Sequence, residues 1–284
     1  MYEKLLSSAE PGLIIIMLDQ SGSMADAYIK DSKGNVLQNK ATFAALAVNR
    51  VIEEVISACS DGDNIKERCH VAIIGYGSTA KVLTLDNVAE LAKNPNTTEI
   101  LSKQIDPSGK LVDVPETLRV FVNPLASGGT AMDSAFEEAY NGANTWIQNN
   151  KNSFPPIVIN ITDGEPNEYY MENGSFNKTI QAAQKLTSLS TSDGNLVLLN
   201  AHIPDEKSNP GNLKIELPNE KSAFSGNDFA NFLFDISSVL PERLSAAAAK
   251  VGFNPQNKAK GFIFNADAAT LIKLLNFGSL GALR

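Results

Sequence analysis

Asp19, Ser21 and Ser23 stand at alternate positions in the stretch LIIIMLDQSGSM (residues 13–24), directly after six apolar residues. Alternation puts one carboxylate and two hydroxyls close together, with no His or Lys beside them to build a nucleophile. Oxygen ligands without thiolate or imidazole favour a hard cation, Mg²⁺, Mn²⁺ or Ca²⁺, over zinc or copper. Two later loops carry matching chemistry. Thr130 follows Gly128-Gly129, and Asp163 precedes Gly164. Each of these words alone reads as an ordinary turn or helix cap. Together, Asp19, Ser21, Ser23, Thr130 and Asp163 form the expected metal set.

Those residues need a frame that brings three loops to one point. The run before Asp19 suits a strand buried on both faces of a parallel sheet, and ligands bind just past the C-terminal ends of such strands. Further apolar strands are expected at 70–76, 80–85, 155–162, 196–203 and 261–265. Amphipathic or Ala-rich helices are expected at 41–58, 131–149, 178–189, 229–239 and 241–251, with a closing helix at 267–276 capped by Gly278. A short helix at 87–93 precedes extended pieces around an Asp106-Pro107-Ser108-Gly109 turn. Strands alternating with helices imply an α/β fold, a doubly wound and mainly parallel central sheet with helices on both faces. The chain reads as a single domain over 1–284, with its core at about 11–278. Loop insertions fall at about 25–39, 94–122 and 204–227.

Composition narrows the function. With 284 residues, 43% of them hydrophobic, the chain can build a large core. A formal net charge of −8 and no basic run leave out the electrostatic footprint of a nucleic-acid or anionic-membrane binder. Two cysteines, Cys59 and Cys69, imply no disulfide framework. The opening MYEKLLSSAEPG has no apolar leader core, and LIIIML is too short to span a bilayer. A cytoplasmic location is the expectation.

DQSGSM after an apolar strand, GGTAM before a helix and ITDGEP after a later strand, in that order, resemble the metal-ion-dependent adhesion site of the von Willebrand factor A (VWA) domain. The resemblance covers nearly the whole chain, and no position of the motif departs from the pattern; the departures are the insertions. It implies that Ser21 and Ser23 bind the metal directly and Thr130 directly or through water. Asp19 and Asp163 would hold waters and the serine hydroxyls around it. It further implies a non-enzymatic, metal-dependent protein-binding module, its open coordination position taking an Asp or Glu from a partner. An acidic, cysteine-poor chain is most similar to the intracellular microbial members. Among these the tellurium-resistance type is the nearest comparison. Such members act beside an ATPase, kinase or phosphatase in stress-response or defence systems.

Two enzyme readings compete. A Mg²⁺-dependent phosphatase would use Asp19 as nucleophile, but needs a second Asp where Ser21 stands and a basic residue to hold the phosphoryl group. A serine hydrolase would use Ser21 or Ser23 with Asp163 and His202, but no Gly-x-Ser-x-Gly elbow is present. Glu165, Asp133, Asp26, Asp31 and Asp113 read as solvated acids. His70 and Trp146 read as packing residues, and Asp61-x-Asp63 as a turn.

Overall fold

All eight residues of the strand Gly12–Asp19 (β1) are buried, because it lies at the middle of a sheet covered on both sides. Ile14, Ile16 and Leu18 point into one apolar layer, and Leu13, Ile15 and Met17 into the other. This period-two division is what a continuous apolar run produces when both faces are covered.

The computed structural model describes residues 1–30, 33–105, 111–204, 214–222, 224 and 226–281. After β1 come a 3₁₀ turn (Gly22–Ala25), β2 (Ala27–Lys30), β3 (Val36–Asn39) and α1 (Lys40–Ala58). A small ribbon, β4 (Ser60–Asp61) and β5 (Asn64–Ile65), leads to β6 (Cys69–Tyr76), β7 (Ala80–Asn87) and α2 (Val88–Leu91). Next are β8 (Thr97–Ile105), β9 (Leu111–Arg119), α3 (Met132–Asn149), β10 (Ile157–Thr162), α4 (Asn167–Met171) and α5 (Asn177–Thr187). A second ribbon, β11 (Ser190–Thr191) and β12 (Gly194–Asn195), precedes β13 (Val197–His202) and β14 (Ile215–Glu216). The chain closes with α6 (Asp228–Ile236), α7 (Glu242–Lys250), β15 (Phe262–Phe264) and α8 (Ala268–Leu280).

The central sheet has the order β14-β15-β13-β10-β1-β6-β7. Its four inner pairings, β15 through β6, are parallel, and only β7 and β14 at the edges run antiparallel. Helices α1, α7 and α8 pack on one face. Helices α3, α5 and α6 pack on the other. This is the doubly wound, mainly parallel architecture expected. After β1 the chain moves to β6 on one side and only later to β10 on the other, so the C-terminal end of β1 is a topological switch point.

The stretches read as insertions have structure of their own. Strands β2 and β3 pair antiparallel where a plain loop was expected, and Tyr28 anchors them by donating to the Ala266 carbonyl at 2.7 Å and packing on Phe43. Strands β8 and β9 form a nine-pair antiparallel ribbon. Its base is tied to α1 by buried Asn49, which accepts from the Phe121 and Val122 amides and donates to the Val122 carbonyl. The 106–109 turn lies outside the described residues, as do Asp31 and most of 204–213. The closing helix runs to Leu280, through Gly278 rather than ending there. A Cβ at position 278 would come within 2.8 Å of Leu199 Cδ1 and 2.9 Å of Ile159 Cδ1, so this glycine lets the helix lie close on the sheet.

Candidate metal centre

The three loops meet at the C-terminal ends of β1 and β10. Backbone hydrogen bonds fasten them to one another. Gln20 N–H donates to Tyr76 at 2.7 Å, Ser127 N–H to Gln20 at 2.7 Å, Gly22 N–H to Gly128 at 3.0 Å and Ala131 N–H to Gly77 at 2.8 Å. Gly128 sits at φ +80°, and a Cβ there would collide with Ser78. The turn and the close approach both require glycine at that point.

Within this frame the Ser21, Ser23 and Asp163 side chains form one chain of hydrogen bonds, which the Ser21 amide joins to Asp19. Ser21 and Ser23 Oγ lie 3.0 Å apart, and Ser23 Oγ donates to Asp163 Oδ1 at 2.7 Å. Asp19 Oδ1 accepts from the Ser21 amide at 2.8 Å, and its Oδ2 accepts from Thr162 Oγ1, also at 2.8 Å. The spacing of the two serine oxygens equals the cis edge of an octahedron with ligands at about 2.1 Å, which is roughly 3.0 Å, the geometry Mg²⁺ demands. Among the described residues there is no cluster of three or more His, Cys, Asp or Glu side chains. Hydroxyls with two carboxylates thus make up this donor set, and it fits a hard cation rather than zinc.

Thr130 is buried on the adjoining loop, one residue before the α3 cap at Ala131. Its amide donates to Asn167 Oδ1 at 2.8 Å and its carbonyl accepts from the Asn167 amide at 2.9 Å. Asn167, first residue of α4, therefore fixes the threonine loop against the Asp163 loop. Ser21 is only 2% exposed, whereas Ser23 is open to solvent. The open side of the cluster is thus the Ser23 side.

Burial pushes the Asp19 carboxyl up to about 7, with the Asp163 charge adding to the rise. The hydrogen bonds from Ser21 and Thr162 oppose that rise. A cation arriving beside Asp19 favours its ionised form.

One partner was not anticipated. Lys40, first residue of α1, places Nζ 2.9 Å from Asp163 Oδ2, and both side chains are fully inaccessible. Asp163 is therefore shared, one oxygen facing Ser23 and the other the ammonium. The sequence holds one cue for this: a lysine in the first turn of a helix, where the macrodipole disfavours a cation.

The other residues singled out lie apart from this chemistry. His202 is buried, stacked on Phe264 with ring centroids 4.4 Å apart, and its Nδ1 accepts from the Asn265 amide at 3.4 Å. Glu165 accepts from the Tyr170 hydroxyl at 2.9 Å. Trp146 is half-buried and donates from Nε1 to His70 Nδ1 at 3.3 Å. Both line a cleft of about 730 Å³ between α3 and the β6–β7 edge. That cleft lies toward the N-terminal end of β1, opposite the oxygen loops. Cys59 and Cys69 are buried free thiols, and among the described residues no helix is long and apolar enough to cross a membrane.

No family model matches the chain, and no curated protein does. Solved structures do. The chain is similar to a von Willebrand factor type A protein from Catenulispora acidiphila, with 17% identity, a TM-score of 0.38, and coverage of 70% of this chain and 35% of that one. It is similar to the conserved hypothetical protein BatB from Bacteroides thetaiotaomicron, with 16% identity, a TM-score of 0.36, and coverage of 68% and 66%. It is also similar to proximal thread matrix protein 1 from the mussel byssus, with 12% identity, a TM-score of 0.47, and coverage of 95% and 48%. In each case the match spans less than two thirds of the other protein's length.

Proposed function

We propose that this chain is a non-enzymatic, divalent-metal-dependent protein-binding module of the VWA kind, with Mg²⁺ or Mn²⁺ as its ion. The observation that carries the reading is the Ser21–Ser23–Asp163 hydrogen-bonded cluster at the switch point of the sheet. Ser21, Ser23 and Thr130 would hold the ion, while Asp19 and Asp163 orient the hydroxyls. A bound ion supplies an open coordination position for an anionic oxygen. Neutral hydroxyls leave much of its charge unquenched, so that position favours an Asp or Glu of a partner protein. With a net charge of −8, this chain suits a partner that sets one acidic residue among neutral or basic surroundings. A cytoplasmic role in a microbial stress-response or defence system, with an ATPase, kinase or phosphatase as partner, completes the proposal by resemblance.

The hydrolase alternative is disfavoured by His202, whose ring is committed to Asn265 and an aromatic stack. The phosphatase alternative gains one feature, since Lys40 is a basic residue beside Asp163. Yet Lys40 is fully buried and engaged, and Asp19 still lacks the second Asp.

The test is capture of a partner on the immobilised chain in Mg²⁺ and in EDTA. Retention should be lost in EDTA, restored by Mg²⁺, and cut at least tenfold by Thr130→Ala. A partner retained equally in EDTA would place recognition elsewhere on the surface.

A further inference from the structure

Lys40 is an expensive residue where it stands. Its side chain is fully buried at the N-terminal turn of α1, with no acidic residue in that turn. The helix dipole disfavours it there, and a buried ion pair is a poor way to anchor a loop compared with apolar packing. Its carboxylate partner is Asp163, the residue that also receives the Ser23 hydroxyl.

We infer that Lys40 is a built-in counter-cation that weakens Mg²⁺ binding at the oxygen site and strengthens the hold of the occupied site on a carboxylate. The inference rests on the metal reading above and assigns a regulatory residue to it. Charge counting gives the direction. With Asp19 and Asp163 both ionised, the state a bound cation favours, the two carboxylates and Lys40 together carry one negative charge. A divalent ion then leaves the site singly positive, where without Lys40 it would be neutral. The ammonium therefore repels the ion and leaves an excess of positive charge for an anionic ligand. A single charge several ångströms from a divalent ion shifts its binding constant by about tenfold even at the dielectric of bulk water, and by more where water is excluded. Lys40 and Ser23 hold the two oxygens of Asp163 between them.

The test is calorimetric titration of EDTA-stripped wild type, Lys40→Met and Lys40→Gln with Mg²⁺, with and without sodium acetate as the carboxylate probe. Melting curves are recorded for each in EDTA and in Mg²⁺. Methionine keeps the length of the side chain, and glutamine keeps a donor toward Asp163 without the charge. Both variants should bind Mg²⁺ at least tenfold tighter than wild type. The tightening of Mg²⁺ binding by acetate should be several-fold smaller in the variants. A variant that unfolds in EDTA overturns the inference even if Mg²⁺ refolds it, because any ion that binds only the folded state does so by mass action. Affinity within twofold of wild type, an undiminished acetate effect, or variants unfolded in both conditions overturns it and leaves Lys40 a structural residue. If neither wild type nor variants bind Mg²⁺ at millimolar concentration, with acetate or without, the metal reading itself fails.

Discussion

Ser21→Ala combined with Ser23→Ala is expected to abolish Mg²⁺ binding while the protein keeps a cooperative thermal transition. In the proposed site these two hydroxyls, 3.0 Å apart, are the direct ligands, and the remaining set would not replace both. The structural cost is bounded. Ser21 Oγ is bonded to Ser23 Oγ, and Ser23 in turn serves Asp163 Oδ1. Removing both deletes the pair of partners together and leaves one carboxylate oxygen short of a donor. That costs roughly 1–3 kcal/mol. Calorimetry and melting of the same sample separate the two effects. A double variant that fails to fold would make the serines structural.

The second large effect concerns Asp163. Asp163→Ala should destabilise the metal-free protein by roughly 3–5 kcal/mol, because it leaves the inaccessible Lys40 ammonium without its carboxylate. Asp163→Asn should cost less, since its amide oxygen can still accept from Nζ. Adding Lys40→Met to Asp163→Ala should recover much of the loss, the non-additivity expected of two groups in direct contact. Denaturant unfolding in EDTA is measured on wild type, Asp163→Ala, Asp163→Asn, Lys40→Met and the double variant. Strict additivity of the two substitutions would show that the pair is not coupled.

The fold was legible wherever a stretch of chain carries its own period. β1 announces itself as an unbroken apolar run, and α1 and α3 by their three-to-four spacing. The candidate cluster was legible in part, because Asp19, Ser21 and Ser23 follow one buried apolar run and Asp163 another, and the structure brings Ser21, Ser23 and Asp163 into hydrogen-bond contact. What escaped depends on contacts between distant residues. Lys40 meets Asp163 across 123 positions, and nothing local to either residue fixes that pairing. Ser21 has small and polar neighbours, yet the Gly22–Gly128 link folds the threonine loop against it. Gly278 looked like a helix stop because glycine favours C-caps. Its actual use is close packing against Ile159 and Leu199. Strand β14 has two residues and helix α4 five, too few for any periodicity to appear. Asn167 in α4 nevertheless holds the Thr130 loop with two hydrogen bonds.

The central claim, a hard-cation site built from Asp19, Ser21, Ser23, Thr130 and Asp163, is tested most directly by titrating EDTA-stripped protein with Mg²⁺ in a calorimeter. Acetate is included to fill the open coordination position. One ion should bind per chain, with binding absent from the Ser21→Ala, Ser23→Ala double variant. No binding up to millimolar Mg²⁺, or binding that the double variant retains, would contradict it.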